Sequence, residues 1–212
     1  MIIEKVLFCI VIILSLITAR IAHATPRPTL NIYYEKSESA IPVSNLPYVI
    51  SELKRHFKEE FNVVPRMTIR GVRPSPITRT LNDLRSHYGY WNKYISSRTR
   101  ARHYWALVIT SRFEKDGLQY FAGLGNPTCF RFQPGVTLAM ISMATKNDAG
   151  EDRLRYSIYG AMHELGHNLN LEHLNTSPPT IMHSAVLKYS NQDLHFNENQ
   201  KWVADVCFRM RG

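Results

Sequence analysis

Three histidines and one glutamate stand at intervals suited to metal chemistry in the segment HELGHNLNLEH, residues 163–173. On a helix, His163 and His167 lie four residues apart and project from the same side, where both imidazoles can reach one metal ion. Glu164 is adjacent to that pair. It lies too far round the helix to bind the ion itself, yet close enough to act on a water bound to the ion. The segment therefore predicts a metal site with an acid–base group beside it.

A third histidine, His173, follows His167 by six residues. On a continuous helix it would lie about 9 Å farther along and on a different face, so the helix must end and turn before it. Asn170 is suited to this turn because asparagine is the usual non-glycine residue in the left-handed conformation that ends many helices. Three histidines and an open fourth position describe a catalytic zinc site, since a structural zinc normally has four protein ligands.

The remaining patterns predict the elements that position this site. Strand-like runs alternate with amphipathic helical runs, which implies a mostly parallel, twisted sheet of the α/β class. Strands are predicted at 29–35, 65–73, 103–112 and 135–142, helices at 43–61, 77–97, 152–169 and 197–210, and an antiparallel edge strand with a loop at 116–130. The histidine segment lies where this layered upper part meets a smaller, irregular lower part that ends in a helix.

The histidine segment resembles the active site of the metzincin zinc metalloproteases, whose signature is HExxHxxGxxH followed by a methionine turn. Every ligand position matches, and the one departure is Asn170 in place of glycine. Met182, in PTIMHSA, is similar to the methionine of that turn. Three features look most like the reprolysin or adamalysin group: AGLGNPTC ahead of a VTLAMIS strand, the placement of the cysteines, and no tyrosine two residues after Met182.

The resemblance implies an α+β zincin-like fold and a zinc-dependent endopeptidase with one catalytic Zn²⁺; no motif specifies a calcium site. His163, His167 and His173 would bind the zinc, and Glu164 would act as the general base that takes a proton from the bound water and passes it to the leaving amine. Met182 would form an apolar floor beneath the metal. A protein or peptide substrate would align along the predicted edge strand.

The first residues have the features of a secretory signal peptide: a lysine, an apolar run and a small-x-small cleavage site ending at Ala24. An uncleaved membrane anchor is the alternative, but the apolar run is shorter than the roughly 20 residues that a span needs. We therefore expect a secreted, extracellular protein without membrane attachment. The predicted divisions are a signal peptide at 1–24 and one metzincin-like catalytic domain at 25–212, with an upper part at about 25–169 and a lower part at about 170–212.

Two cysteines, Cys129 and Cys207, remain after removal of the signal segment, which contains Cys9. In an oxidising compartment two remaining cysteines usually pair, so we predict a disulfide that ties the last helix to the middle of the chain. Two buried free thiols are the alternative. Asn175 begins the sequon Asn-Thr-Ser and is a candidate glycosylation site.

The chain is basic, with a formal net charge of +9 that becomes +8 when Lys5, Arg20 and Glu4 leave with the signal segment. This charge favours weak attraction to anionic glycosaminoglycans. No basic-aromatic motif indicates nucleic-acid binding, and we expect a monomer. Two rival functions are a non-catalytic, zinc-containing secreted protein that binds a host or matrix partner, and a heparin-type binding module. Glu164 favours the enzyme, because a structural zinc site has no use for that carboxylate.

Overall fold

A computed structural model describes residues 27–36, 42–78, 80–111, 113–116, 118–120, 122–132, 134–143, 154–186 and 192–210. The predicted signal peptide at 1–24 lies outside the described residues. Among the helices in these ranges, none combines the length and the apolar character needed to cross a membrane.

A five-stranded sheet forms the centre of the upper part and confirms the predicted α/β architecture. The strands within the described residues are β1 (Thr29–Glu35), β2 (Arg66–Val72), β3 (His103–Thr110), β4 (Phe113–Lys115), β5 (Leu118–Tyr120), β6 (Gly123–Gly125) and β7 (Gly135–Ser142). The sheet order is β2-β1-β3-β7-β6, in which the first four strands are parallel and β6 is antiparallel to β7. The central strands β3 and β7 are almost wholly buried, as expected for parallel strands covered on both faces.

The segment predicted to hold one edge strand and a loop is divided differently in the structure. β4 and β5 form a separate antiparallel hairpin, and only β6 joins the main sheet. Asp116 lies in the hairpin turn with a φ of 54°, a left-handed conformation that reverses the chain there. The antiparallel edge of the main sheet is therefore short and begins at Gly123.

The described part of the chain includes the α-helices α1 (Leu46–Phe61), α2 (Leu84–Ser96), α3 (Leu154–His167) and α4 (Glu198–Arg209). α2 begins later than predicted because Thr80 is extended and pairs with Glu114, and because Leu81–Asp83 form a 3-10 turn. α4 begins with a capping box, in which the side chains of Asn197 and Gln200 each accept a hydrogen bond from the other residue's backbone N–H.

Alternate residues of the parallel strands face two separate cores. Leu107 and Ile109 of β3 belong to the larger core, which α1, α3 and α4 share on one face of the sheet. Ala106 and Val108 belong to the smaller core, which lies under α2 on the other face. The helix that carries two of the histidines therefore packs between the sheet and α1.

A disulfide joins Cys129, in the loop after β6, to Cys207 of α4. Between α3 and α4, the described residues 168–186 and 192–197 contain no α-helix or β-strand, which agrees with the predicted irregular lower part. This part is held by side-chain packing: the ring of Phe196, for example, lies 4.9 Å from that of Phe61 on α1. The lower part is thereby fixed to the larger core.

Candidate metal centre

The three predicted ligands meet at the end of α3. His163 and His167 project from the helix, and the Nε2 atom of His173 lies 3.1 Å from Nε2 of His163 and 3.2 Å from Nε2 of His167. Two nitrogens bound to one tetrahedral zinc at ordinary bond lengths lie about 3.3 Å apart, so this spacing fits a zinc ion. In the described ranges, no other group of three or more histidine, cysteine, aspartate or glutamate side chains has such an arrangement.

Backbone carbonyls orient two of these imidazoles. The Nδ1 atom of His163 lies 2.8 Å from the carbonyl oxygen of Ile181, and Nδ1 of His167 lies 2.8 Å from that of Leu171. A carbonyl oxygen can only accept, so each Nδ1 carries the proton and each Nε2 keeps its lone pair. The Nε2 lone pairs of His163 and His167 are therefore free to bind a metal ion at the point where Nε2 of His173 also lies, as in metal-bound histidines.

Burial favours the neutral form of the same imidazoles. It lowers the pKa of His163 to about 4, and it also lowers the pKa of His167. Both side chains are consequently uncharged at neutral pH, which is the form that binds a metal ion.

The helix exit before His173 is a Schellman motif with Asn170 in its left-handed position. Asn170 has a φ of 65°. The N–H of Leu171 donates to the carbonyl of Gly166 at 3.0 Å, and the N–H of Asn170 donates to that of His167 at 2.9 Å. These are the two hydrogen bonds that define the motif. The turn redirects the chain so that His173 returns to the other two histidines.

Glu164 is buried between α3 and the edge strand. A Cβ atom at position 123 would lie 2.5 Å from Oε1 of Glu164, and one at position 125 would overlap the main-chain oxygen of Glu164. Gly123 and Gly125 therefore let β6 approach the helix closely, a role that the sequence pattern did not reveal. Burial raises the pKa of Glu164 to about 8, so this carboxyl can accept and release a proton near neutral pH.

Met182 lies against α3 on the side opposite to the edge strand. Its side chain is fully buried, and its sulfur occupies the space where a side chain at Gly166 would begin. The main-chain oxygen of Met182 accepts a hydrogen bond from the N–H of Leu174 at 2.9 Å. The methionine thus supports the base of the helix and the segment that follows His173.

A buried polar network under α3 was missed by sequence reasoning. The Oδ1 of Asn168 accepts from Nε1 of Trp105 at 3.0 Å, and its Nδ2 donates to the carbonyl of Leu138 at 3.1 Å. The Tyr88 hydroxyl hydrogen-bonds to Asn126 and to the same Leu138 carbonyl, and burial together with the Glu164 charge raises the pKa of this phenol. The signal available in the sequence was an asparagine directly after the ligand His167.

The loop after β6 completes the C-terminal end of α3. The N–H of Thr128 donates to the carbonyl of His167 at 3.0 Å, and the N–H of Phe130 donates to that of Asn168 at 3.0 Å. The disulfided Cys129 lies between these two donors. The loop therefore satisfies carbonyls that the ending helix leaves without partners.

An open cavity of about 420 Å³ lies next to the histidines. It is lined by Ala122, Gly123, Ile141, Gly160, His163, Glu164, His173, Ser184, Ala185 and Val186. Apolar and small residues form most of its wall, and Glu164 is the carboxylate that faces it. Asn175, the candidate glycosylation site, is exposed nearby, and its Oδ1 accepts hydrogen bonds from the N–H and the hydroxyl of Ser184.

No protein-family model matches the sequence, and no curated protein sequence matches it either. Solved structures do resemble the fold. The archaemetzincin of Methanopyrus kandleri superposes with a TM-score of 0.64 at 14% identity, covering 90% of this chain and 99% of that one. A zinc-dependent peptidase from Methanocorpusculum labreanum gives a TM-score of 0.54 at 14% identity, with 82% and 99% covered.

A third similar structure is metalloproteinase-II from Bacteroides fragilis, with a TM-score of 0.58 at 14% identity. The match covers 89% of this chain and 54% of that one, so the present chain spans about half of that relative. At these identities the likeness concerns the fold. The chain accordingly has the zincin-like fold of zinc metallopeptidases.

Proposed function

We propose that the protein is a secreted, zinc-dependent endopeptidase of the metzincin type. The observation that carries the proposal is the convergence of three Nε2 atoms beside a buried glutamate and an open cavity. Secretion rests on the signal-like features of residues 1–24. The finer assignment to the reprolysin-like group rests on AGLGNPTC ahead of the VTLAMIS strand, on the placement of the cysteines, and on the absence of a tyrosine two residues after Met182.

His163, His167 and His173 would hold one Zn²⁺ and leave a fourth position open. A zinc ion in such a site lowers the pKa of a coordinated water and polarises a peptide carbonyl. The protein's own part is to orient the imidazoles of His163 and His167 through the carbonyls of Ile181 and Leu171, and to keep these two imidazoles neutral by burial.

Glu164 is proposed as the general base. Its carboxylate would take a proton from the attacking water and deliver it to the nitrogen of the leaving amine. Its burial favours this role, because a carboxyl with a raised pKa both accepts and returns a proton readily near neutral pH. Gly123 would keep the space beside the carboxylate free for the substrate.

The substrate would bind as an additional strand on β6. Ala122 and Asn126 hydrogen-bond to β7, so by the alternation of an antiparallel ladder Gly123 and Gly125 direct their backbone groups away from it. An extended peptide could pair with these groups and bring one peptide bond to Glu164. Main-chain pairing tolerates varied side chains, so the small and apolar wall formed in part by Val186 would select the neighbouring residue.

A non-catalytic, zinc-containing binding protein is the second candidate. The histidine cluster alone is compatible with it. Glu164 argues against it, because placing a carboxyl in a largely apolar site destabilises the fold unless the group has a function. The two candidates differ in one measurable property, the cleavage of peptide bonds.

Cleavage of a mixed peptide library by residues 25–212 tests the proposal. We expect the zinc-loaded protein to cut, and we expect both chelation and Glu164→Gln to abolish cutting. Glu172→Gln is the matched control, since Glu172 also neighbours a ligand histidine but is exposed. A wild-type protein that holds one zinc and cuts nothing would support the binding protein instead.

A further inference from the structure

Two neighbouring cavities form a groove at the amino-terminal edge of the sheet, away from the metal centre. Their volumes are about 420 and 430 Å³, and both are lined by Arg27 and Pro28. The basic groove is defined here by the charged and imidazole side chains of both cavities, which are Arg27, Lys58, His103, Arg131, Asp205 and Arg209.

The parallel topology collects basic residues at this edge. Arg27 lies just before β1 and Arg66 begins β2, and the N–H of Arg66 donates to the carbonyl of Pro28 at 2.9 Å. Arg102 precedes β3, and its carbonyl accepts from the N–H of Gly135, the first residue of β7, at 2.7 Å. Because the amino ends of parallel strands lie at one edge, the exposed Arg66 and Arg102 extend the positive surface around the groove.

Positive charge dominates the groove. Among the described residues that line either cavity, Asp205 is the one carboxylate, and it forms an ion pair with Arg209, whose Nε lies 2.7 Å away. Lys58 donates to the neutral Oδ1 of Asn62 at 2.5 Å, so its charge is not compensated by that contact. Arg27 and Arg131 add two guanidinium groups.

We propose that the basic groove binds a linear sulfated polysaccharide. Guanidinium groups recognise sulfate oxygens through paired, charge-assisted hydrogen bonds. The half-buried Tyr104 lines the groove and offers ring surface for sugar, while the exposed amide of Asn62 offers a partner for a hydroxyl group. Two adjacent cavities that share Arg27 and Pro28 suit successive units of a chain, whereas a bilayer is flat. The choice of a glycan over a nucleic acid rests on the secretion proposed above.

The groove and the metal centre are separate surfaces joined by one loop. Phe130 and Arg131 line the groove, while the N–H of Phe130 holds the carbonyl of Asn168, next to the ligand His167. The loop therefore lies between the polysaccharide site and the zinc ligands. The polysaccharide binds without occupying the cavity beside Glu164, so binding does not require zinc.

The test compares two variants with the same net charge. Arg27→Ser/Lys58→Ser removes one arginine and one lysine from the groove, and the matched control Lys36→Ser/Arg73→Ser removes the same pair from the carboxyl-terminal edge of β1 and β2. All four positions are exposed. Binding of a fully sulfated heparin dodecasaccharide is measured by calorimetry from 50 to 300 mM NaCl, with and without chelator, after circular dichroism establishes that each variant is folded.

We expect the groove variant to lose at least about tenfold in affinity and to reduce the salt dependence by about two released ions. The control variant should remain within about twofold of wild type. The single change Lys58→Ser should give about half of the salt effect, and it replaces the double variant if that variant is unfolded.

Four results would overturn the inference. The first is an equal loss of heparin affinity in both double variants, which would mean attraction by net charge only. The second is absence of heparin binding at 100 mM NaCl, and the third is that the desulfated oligosaccharide binds as tightly as the sulfated one. The fourth is that phosphatidylserine vesicles or duplex DNA bind the groove more tightly than heparin does. Because binding is read without any cleavage, failure of the proposed peptidase activity leaves this test unaffected.

Discussion

Asn170 determines where the third histidine lies, because its left-handed conformation ends α3 and turns the chain. The sequence made this role foreseeable: the interval between His167 and His173 requires a turn, and asparagine is suited to it. The φ of 65° agrees with that reasoning. The contacts of Gly123 with Glu164 were not foreseeable, since they depend on how closely β6 approaches the helix.

Substitution of Asn170 separates backbone conformation from side-chain chemistry. Asn170→Ala should lower the free energy of unfolding by about 1–2 kcal/mol, because a Cβ without a local polar partner is unfavourable in the left-handed region. The free energy of unfolding of Asn170→Gly should be close to that of wild type, because glycine adopts the left-handed region readily. Urea denaturation measures both variants. Equal stabilities of the alanine and glycine variants would contradict the proposed role of the turn.

At the scale of elements, Glu60 connects α1 to the irregular lower part. It is buried, and its Oε1 lies 2.5 Å from Nδ1 of His195 while its Oε2 accepts from the N–H of Phe196 at 3.2 Å. The carbonyl of His195 in turn accepts from the N–H of Ile181, whose own carbonyl orients His163. Through these hydrogen bonds Glu60 helps to fix the segment that orients His163, although α1 itself contains no metal ligand.

Glu60→Gln should lower the free energy of unfolding by about 1–3 kcal/mol, because a neutral amide replaces the buried carboxylate that accepts from His195 and from the N–H of Phe196. Glu59→Gln, at an exposed position of the same helix, is the control and should change it by less than about 0.5 kcal/mol. Thermal unfolding of both variants measures the difference. Equal effects of the two substitutions would show that Glu60 does not fix the lower part.

The same contact gives a pH dependence with a definite sign. The hydrogen bond to Glu60 raises the pKa of His195 above its usual value. The contribution of the His195–Glu60 contact to stability is therefore fully present below about pH 6.5, the usual pKa of histidine. It is lost as pH rises through the higher pKa that His195 has in the folded protein. The stability difference between wild type and His195→Asn should shrink across that window in denaturant titrations. A difference that grows with pH would contradict the assignment.

Elements with strong periodicity were predictable, and those fixed by distant contacts were not. The strand at 29–35 and the strand at 135–142 match the predicted bounds because apolar β-forming residues fill them. The predicted start of the second helix is wrong because Thr80 pairs with Glu114, a contact between segments far apart in sequence. The periodicity of one segment does not indicate which distant segment it will contact.

At the scale of the whole molecule, the disulfide joins the loop that completes α3 to the last helix. Cys129 and Cys207 are 78 residues apart, so the bond restricts a long loop in the unfolded chain. Cys129→Ser/Cys207→Ser should lower the free energy of unfolding by about 2–4 kcal/mol, measured under non-reducing conditions. Wild type under reducing conditions should match this variant. Unchanged stability in both cases would contradict a structural role for the bond.

The arrangement of charge over the molecule needed the tertiary structure. The sequence predicts a basic protein with affinity for anionic chains. It does not predict that Arg27 and Arg131, which lie far apart in sequence, line the same cavity, because this depends on the order of the strands in the sheet. The same topology places the metal centre where α3 packs against the antiparallel edge. Hydrolysis and polysaccharide binding would therefore occupy different surfaces of the molecule.

Titration of the metal-free protein with Zn²⁺, with peptide cleavage recorded at each addition, tests the central claim most directly. We predict that activity rises to a plateau at one equivalent of zinc per chain, and that Glu164→Gln binds the same single equivalent without gaining activity. Binding of one equivalent by a wild-type protein that cleaves no peptide at any point would contradict the claim.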